Sequence, residues 1–355
     1  MHLTLFVPDL LWPDREHIQA FEFESAPQLA RFLFLADYTA EALAPADSWE
    51  SALARLFGFK NERPPLGALR LLGESPGGKD TPADGCTLLC ADPVNLDFIQ
   101  QAMVLSNIAA SDLDEAEAAL LISALNEEFA GEGKFFAGAT NAHWYFQPTD
   151  PAIELPNLPA CSRLLGRRVD ADESRQLLGR EGLRWLNRIQ ICLNNHPVNE
   201  ARQIQGKSII NSVWPWGAGL LDPAQHHPGR FQSASGESTL LRGLCEVTGT
   251  AHVPGTAAPA PELILDKSLA SAIAHNDLDA WKNAIEDLSC QWITPALSAL
   301  EKGELTTLTL IAPDAHKTQH WVLHKTHKGL RPSLINRLLG NAPKSPDLVK
   351  LIRPW

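Results

Sequence analysis

Short β-rich runs and amphipathic helical runs take turns along this chain, and that alternation limits the folds open to it. Residues 2–7 alternate and stop at Pro8-Asp9, as a short strand and turn do. Residues 28–36 and 49–57 carry apolar side chains at helical spacing; Asp47 or Ser48 suits the N-cap of the second helix, and Gly58 its stop. Further strands are expected at 86–91, 142–146, 208–214, 251–253 and 305–311. Further helices are expected from an Asp112 cap through Phe129, and at 173–193, 238–247, 262–275 and 278–301. Two Gly/Pro-rich stretches, 73–85 and 148–159, read as linkers. Strands interleaved with helices predict an α/β fold with a mostly parallel sheet.

Composition narrows the function classes. The net charge of −12 argues against a general nucleic-acid binder, which needs a positive face for phosphates. The balance is uneven, because residues 314–355 hold eight Lys or Arg against two Asp or Glu. That basic stretch either docks on the acidic body or meets a partner. Cys86, Cys90, Cys161, Cys192, Cys245 and Cys290 form no C-x-x-C, and read as buried reduced thiols. No apolar run reaches the roughly 18 residues of a membrane helix, and Pro8, Asp9 and Pro13 break the first apolar run. A cytoplasmic protein is the expectation. Most of the ten tryptophans should fill core gaps or line a cleft.

Residues 194–219, NNHPVNEARQIQGKSIINSVWPWGAG, concentrate amides, cations and glycines. Asn199, Arg202, Lys207 and Asn211 could hold an anionic oxygen ligand there, or tie loops together. Two other motifs fail on inspection. Gly73-x4-Gly78-Lys79 has Asp80 where a phosphate loop needs Ser or Thr, and Pro82 where its helix should begin. His316, His320, His324 and His327 would suit zinc on a helix, but 319–325 alternates like a strand.

Taken in order, the motifs of 194–321 resemble the cofactor-independent phosphoglycerate mutases of the alkaline-phosphatase superfamily, particularly the archaeal-type branch. His196-Pro197-Val198-Asn199 with Arg202 resembles the family's H-P-x-N-x-x-R. Gly206-Lys207, Asn211, Trp214, Trp216, Gly217 and Gly219 resemble its G-K-x-x-x-N-x-x-W-x-W-G-x-G. Leu241-Arg242-Gly243-Leu244, Val253-Pro254-Gly255-Thr256 and Ala284-Ile285-Glu286 resemble downstream family segments. The chain also resembles the RpfE-type regulatory proteins of proteobacteria.

This resemblance implies an alkaline-phosphatase-like core, a mostly parallel sheet flanked by helices, built from residues 1–85 and 190–355. It implies a smaller inserted α+β domain at 86–189. It also implies a serine nucleophile and two metals held by carboxylates and imidazoles. Ser48 stands near the nucleophile position, followed by Trp49 where the family has Asp. Asp9, Asp314 and His316 stand near metal-ligand positions. However, residues 257–283 contain no D-x-x-x-H, and Asp314 and His316 are split by Ala315.

The expectation is therefore a degenerate, non-catalytic mutase-like protein with a binding or regulatory role and no cofactor. It would bind a small phosphorylated or anionic ligand through Asn199, Arg202, Lys207 and Asn211, with a protein partner at 317–353. The alternatives are an active phosphomutase or phosphatase using Mn or Zn, and a regulator that meets a partner or DNA through its basic tail.

Overall fold

A computed structural model of the 355-residue chain describes residues 1–12, 25–75, 87–100, 102–222, 229–255, 260–327 and 329–330. In chain order the first elements are β1 (His2–Phe6), α1 (Pro27–Leu35), β2 (Asp37–Ala42), α2 (Trp49–Leu56), α3 (Leu66–Glu74), β3 (Thr87–Ile99) and β4 (Ala102–Asn107). Then follow α4 (Glu115–Glu128), β5 (Gly133–Ala137), β6 (Trp144–Pro148), β7 (Arg168–Val169), α5 (Ala171–Asn194), α6 (Pro197–Ile204), β8 (Ser212–Leu220) and β9 (Ser233–Ser235). The last are α7 (Thr239–Thr248), β10 (Ala251–His252), β11 (Leu263–Leu265), α8 (Ser268–Ala274), α9 (Leu278–Leu288), α10 (Thr294–Lys302), β12 (Thr307–Pro313) and β13 (Lys317–His324). The architecture is α/β, as the alternation predicts.

The chain forms two compact units. One gathers Met1–Ala42, Ser233–Glu237 and Val253–Trp355; the other gathers Leu43–Gln232 and Ser238–His252. In the first unit the strands lie in the order β9-β11-β1-β12-β13-β2. β9, β11, β1 and β12 run parallel, and β13 and β2 continue the sheet antiparallel. β1 sits between partners drawn from far along the chain, pairing Thr4 with Leu263 and with Thr309. Its inward residues Leu3 and Leu5 pack with Leu29, Phe32, Ile285, Leu297 and Leu308 of the surrounding helices and strand. Burial of such side chains stabilises each by about 1.5–3 kcal/mol.

In the second unit β8 and β6 flank β3, all antiparallel, and β4 and β7 extend the sheet. Its aromatic core joins Phe129, Phe135, Phe146 and Trp185, with ring centroids 4.7 to 6.5 Å apart. Residues 43–75, 190–222 and 229–232 belong to this unit, which the β3–β8 pairing and the packing of α3 on α7 help to join.

Several local expectations need correction. α4 starts at Glu115, not after Asp112, because Asp114 and Glu117 form a reciprocal capping box. Residues 208–211 are not a strand; β8 begins at Ser212 and runs on through Pro215 and both glycines. Leu263–Leu265 is a strand, not the start of a helix. Cys290 is exposed, whereas Cys90, Cys161 and Cys245 are buried. Burial pushes the Cys245 thiol up to about 12 and raises Cys90 and Cys161 well above the ordinary thiol value. Among the described residues no helix is long and apolar enough to cross a membrane. Cys86, the linker from residue 76 and the phosphate-loop decoy, and most of the basic stretch at 317–353, lie outside the described residues.

Candidate functional site

The segment that dominates the sequence reading folds as α6, a loop and β8, and its polar groups serve that local structure. His196 caps α6 through Nδ1, and Pro197 occupies the first turn, where its missing N–H is harmless. Asn199 spans the two arms of the loop. Its Nδ2 donates to the carbonyls of Leu193 and Ile210, and its Oδ1 accepts from Ile210 N–H. Asn211 does the same towards β3, exchanging hydrogen bonds of 2.8 and 3.1 Å with Leu96 N–H and C=O.

Arg202 has a side-chain exposure of 0%. Its Nη1 lies 2.8 Å from Glu117 and its Nη2 2.8 Å from Asp112, while Nε and Nη1 donate to the Ser208 and Asp112 carbonyls. Two carboxylates thus neutralise the buried cation, and four hydrogen bonds occupy its fork. Of the four expected anion contacts, Lys207 alone has a side chain with no protein partner among the described residues. The glycines have an equally local reason. A Cβ at Gly219 would meet the Pro65 Cα at 2.7 Å, and one at Gly217 would meet the Leu66 Cβ at 2.9 Å. They let β8 approach the start of α3.

The mutase-like positions divide between the units. In the first, Asp9 lies in the turn three residues after β1 and Asp314 directly follows β12, neighbours through the 2.8 Å bond from Asp9 N–H to Pro313 C=O. Asp9 is buried with φ of 56°, a conformation non-glycine residues adopt at some cost and that recurs at functional sites. The Asp314 carboxylate closes its own turn. Oδ1 accepts from His316 and Lys317 N–H at 2.7 and 2.9 Å, and Oδ2 from Gln319 Nε2 at 3.3 Å. His316 is exposed. His275 bonds the Ser271 carbonyl through Nδ1 at the end of α8. Among the described residues no three His, Cys, Asp or Glu side chains are grouped to hold a metal ion.

In the second unit Ser48 is the N-cap residue of α2. Its side chain makes no capping bond; it is 1% exposed, and Oγ has no hydrogen-bond partner. The loop before it is held firmly. Arg163 Nη1 donates to the carbonyls of Ala44, Pro45 and Asp47, and Arg55 forks onto the Asp47 carboxylate at 2.6 and 2.8 Å.

A buried electrostatic cluster that no motif announced also lies in the second unit. Arg70, in the middle of α3, donates to Asp92 at 2.8 Å, to the Tyr145 hydroxyl at 3.0 Å and to the Trp144 carbonyl at 3.0 Å. Its guanidinium carbon lies 4.7 Å from the Tyr145 ring centre and 5.2 Å from that of Trp216, whose Nε1 donates to the same Asp92. Glu74 ends the helix and accepts from Ala139 N–H, from the Tyr145 hydroxyl and, at 2.7 Å, from His143 Nδ1.

Burial raises the Glu74 pKa, but the His143, Tyr145 and Ala139 hydrogen bonds and the Arg70 charge outweigh it, holding the group below 4.5. Burial raises the Tyr145 hydroxyl far above its ordinary value. The cluster pins α3 to β3, β6 and the hairpin between β5 and β6. The available signal was a lone arginine inside L-G-A-L-R-L-L-G, since a charge in an apolar helix must find a buried partner.

Comparison with known proteins places the chain beside the mutases. It is similar to 2,3-bisphosphoglycerate-independent phosphoglycerate mutase 2 of Methanothermobacter thermautotrophicus, 27% identical over 191 residues, which cover 50% of this chain and 43% of the relative. It is also similar to 2,3-bisphosphoglycerate-independent phosphoglycerate mutase of Methanosarcina acetivorans, 28% identical over 275 residues, 67% of this chain and 66% of the relative. The chain thus spans between less than half and about two thirds of the length of these curated relatives. A solved cofactor-independent phosphoglycerate mutase of Thermoplasma acidophilum aligns at 14% identity and a TM-score of 0.41, covering 92% of this chain and 91% of that one. No family model matches the chain. The relationship is phosphoglycerate-mutase-like at low sequence identity.

Proposed function

We propose that this chain is a mutase-like protein without two-metal phosphoryl transfer, acting as a binding or regulatory protein. The observation that carries the reading is Asp314. Its Oδ1 accepts from the His316 and Lys317 N–H groups and its Oδ2 from Gln319, while the His316 side chain faces solvent; this supports a reading in which the two are not paired as metal ligands. Losing ligands of a catalytic metal site removes both nucleophile activation and charge stabilisation. The cofactor expectation is accordingly none.

One observation favours the active reading. Ser48 keeps a buried hydroxyl without a partner at the start of a helix, where a nucleophile of the mutase kind would stand. The two readings part on metal. The protein as purified, supplied with Mn²⁺ or Zn²⁺, should show neither a thermal shift nor hydrolysis of p-nitrophenyl phosphate or turnover of 3-phosphoglycerate above the blank. Metal-dependent turnover that disappears in both Ser48→Ala and Asp314→Ala would overturn the proposal and install Ser48 as nucleophile.

A further inference from the structure

Among the described residues β2 is a sheet edge. It ends the first unit's strand order, pairs with β13 on one side, and has all six residues, Asp37 to Ala42, exposed. Its register with β13 is continuous, and it contains neither proline nor lysine, two common guards of such edges. Unpaired backbone N–H and C=O groups along an edge select a further strand as the ligand.

Charge then says which strand. Residues alternate across a strand, so Asp37, Thr39 and Glu41 share one face, with the two carboxylates about 13 Å apart at roughly 3.3 Å per residue. Neither carboxylate has an ion-pair or hydrogen-bond partner among the described residues. A second copy paired about a two-fold axis at Thr39 fits poorly. A two-fold axis centred on Thr39 sets Asp37 of each copy opposite Glu41 of the other, and like charges directly opposed destabilise a pair.

We infer that β2 is a docking edge for an extended peptide of a partner protein carrying Lys or Arg at positions i and i+4, added antiparallel so that the cations meet Asp37 and Glu41. Main-chain bonds supply affinity and the two carboxylates supply selectivity. Asp37 and Glu41 lie outside every group named above for ligand or metal binding.

The test uses the full chain and a fluorescein-labelled peptide, acetyl-Thr-Lys-Val-Thr-Val-Lys-Thr-amide, followed by anisotropy. The expected outcome is saturable binding with Kd on the order of 100 μM. Affinity should fall about tenfold in the double variant Asp37→Asn, Glu41→Gln and further in Asp37→Lys, Glu41→Lys, both checked for fold by circular dichroism. A peptide N-methylated on alternate residues should lose binding, because it cannot complete the ladder, and amide exchange at 37–42 should slow with the unmodified peptide alone. No binding, equal binding of a Glu-for-Lys peptide, or unchanged binding of the N-methylated peptide would each refute the inference. Concentration-dependent dimerisation abolished by Asp37→Lys, Glu41→Lys would refute it in favour of a second copy.

Discussion

Replacing Arg202 by Met tests whether the most motif-like residue of the chain is a ligand contact or a structural tie. Methionine keeps much of the stem volume and removes the fork. Lost are hydrogen bonds of 2.8 Å to Glu117, 2.8 Å to Asp112, and 2.8 and 2.9 Å to the Ser208 and Asp112 carbonyls. Removing one partner of a fully buried ion pair costs about 3–5 kcal/mol. The Asp112 and Glu117 side chains are 38% and 15% exposed, so water can recover part of that loss. The expected destabilisation is therefore near the lower end, about 3 kcal/mol. Urea unfolding followed by tryptophan fluorescence should show a lower midpoint with an unchanged slope. Arg202→Lys restores the charge but not the fork, and should recover less than half. A loss under about 1 kcal/mol, coupled with weaker phosphate binding, would refute the structural reading and return Arg202 to the ligand.

Two further perturbations follow from the second unit. Gly243→Ala should cost about 3 kcal/mol or more in the same assay, because its Cβ would lie 1.7 Å from the Leu69 carbonyl oxygen where α7 crosses α3; a change below about 1 kcal/mol would mean the crossing is loose. Glu74 has a folded pKa below 4.5, so its contribution is fully present above that value and disappears as pH falls through the lower folded one. The stability gap between wild type and Glu74→Gln should accordingly be constant near neutrality and narrow below about pH 4.5; a gap that stays constant down to pH 3 would sink the argument.

The fold class was legible because period-2 and period-3.6 patterns alternate cleanly, and because β1, β12, α4 and α7 carry local signals that tertiary context does not override. Errors arose where two local signals competed. Asp112 and Asp114 both suit an N-cap; the reciprocal bond with Glu117 decides for Asp114, and Arg202, ninety positions away, claims Asp112. The strand expected at 208–214 instead runs from Ser212 to Leu220, through Pro215, Gly217 and Gly219, because β3 pairs with it and α3 needs the space.

The site was less legible, for a chemical reason. Amides and guanidinium groups that recognise an anion are the same groups that satisfy buried carbonyls and carboxylates, and spacing alone does not distinguish the two. The Arg70 cluster escaped because its members, Arg70, Glu74, Asp92, His143 and Tyr145, are scattered over seventy-five positions with no motif joining them.

The placement of β1 sets a timetable for synthesis. Its first neighbour, β11, starts at Leu263, and its second, β12, at Thr307. At roughly 5–20 residues per second, Leu3, Leu5 and Phe6 leave the ribosome about 10–50 s before any strand that will flank them exists. For that interval a future sheet centre is an unpaired apolar segment on a nascent chain. Slowing translation would lengthen the exposure without bringing its partners nearer.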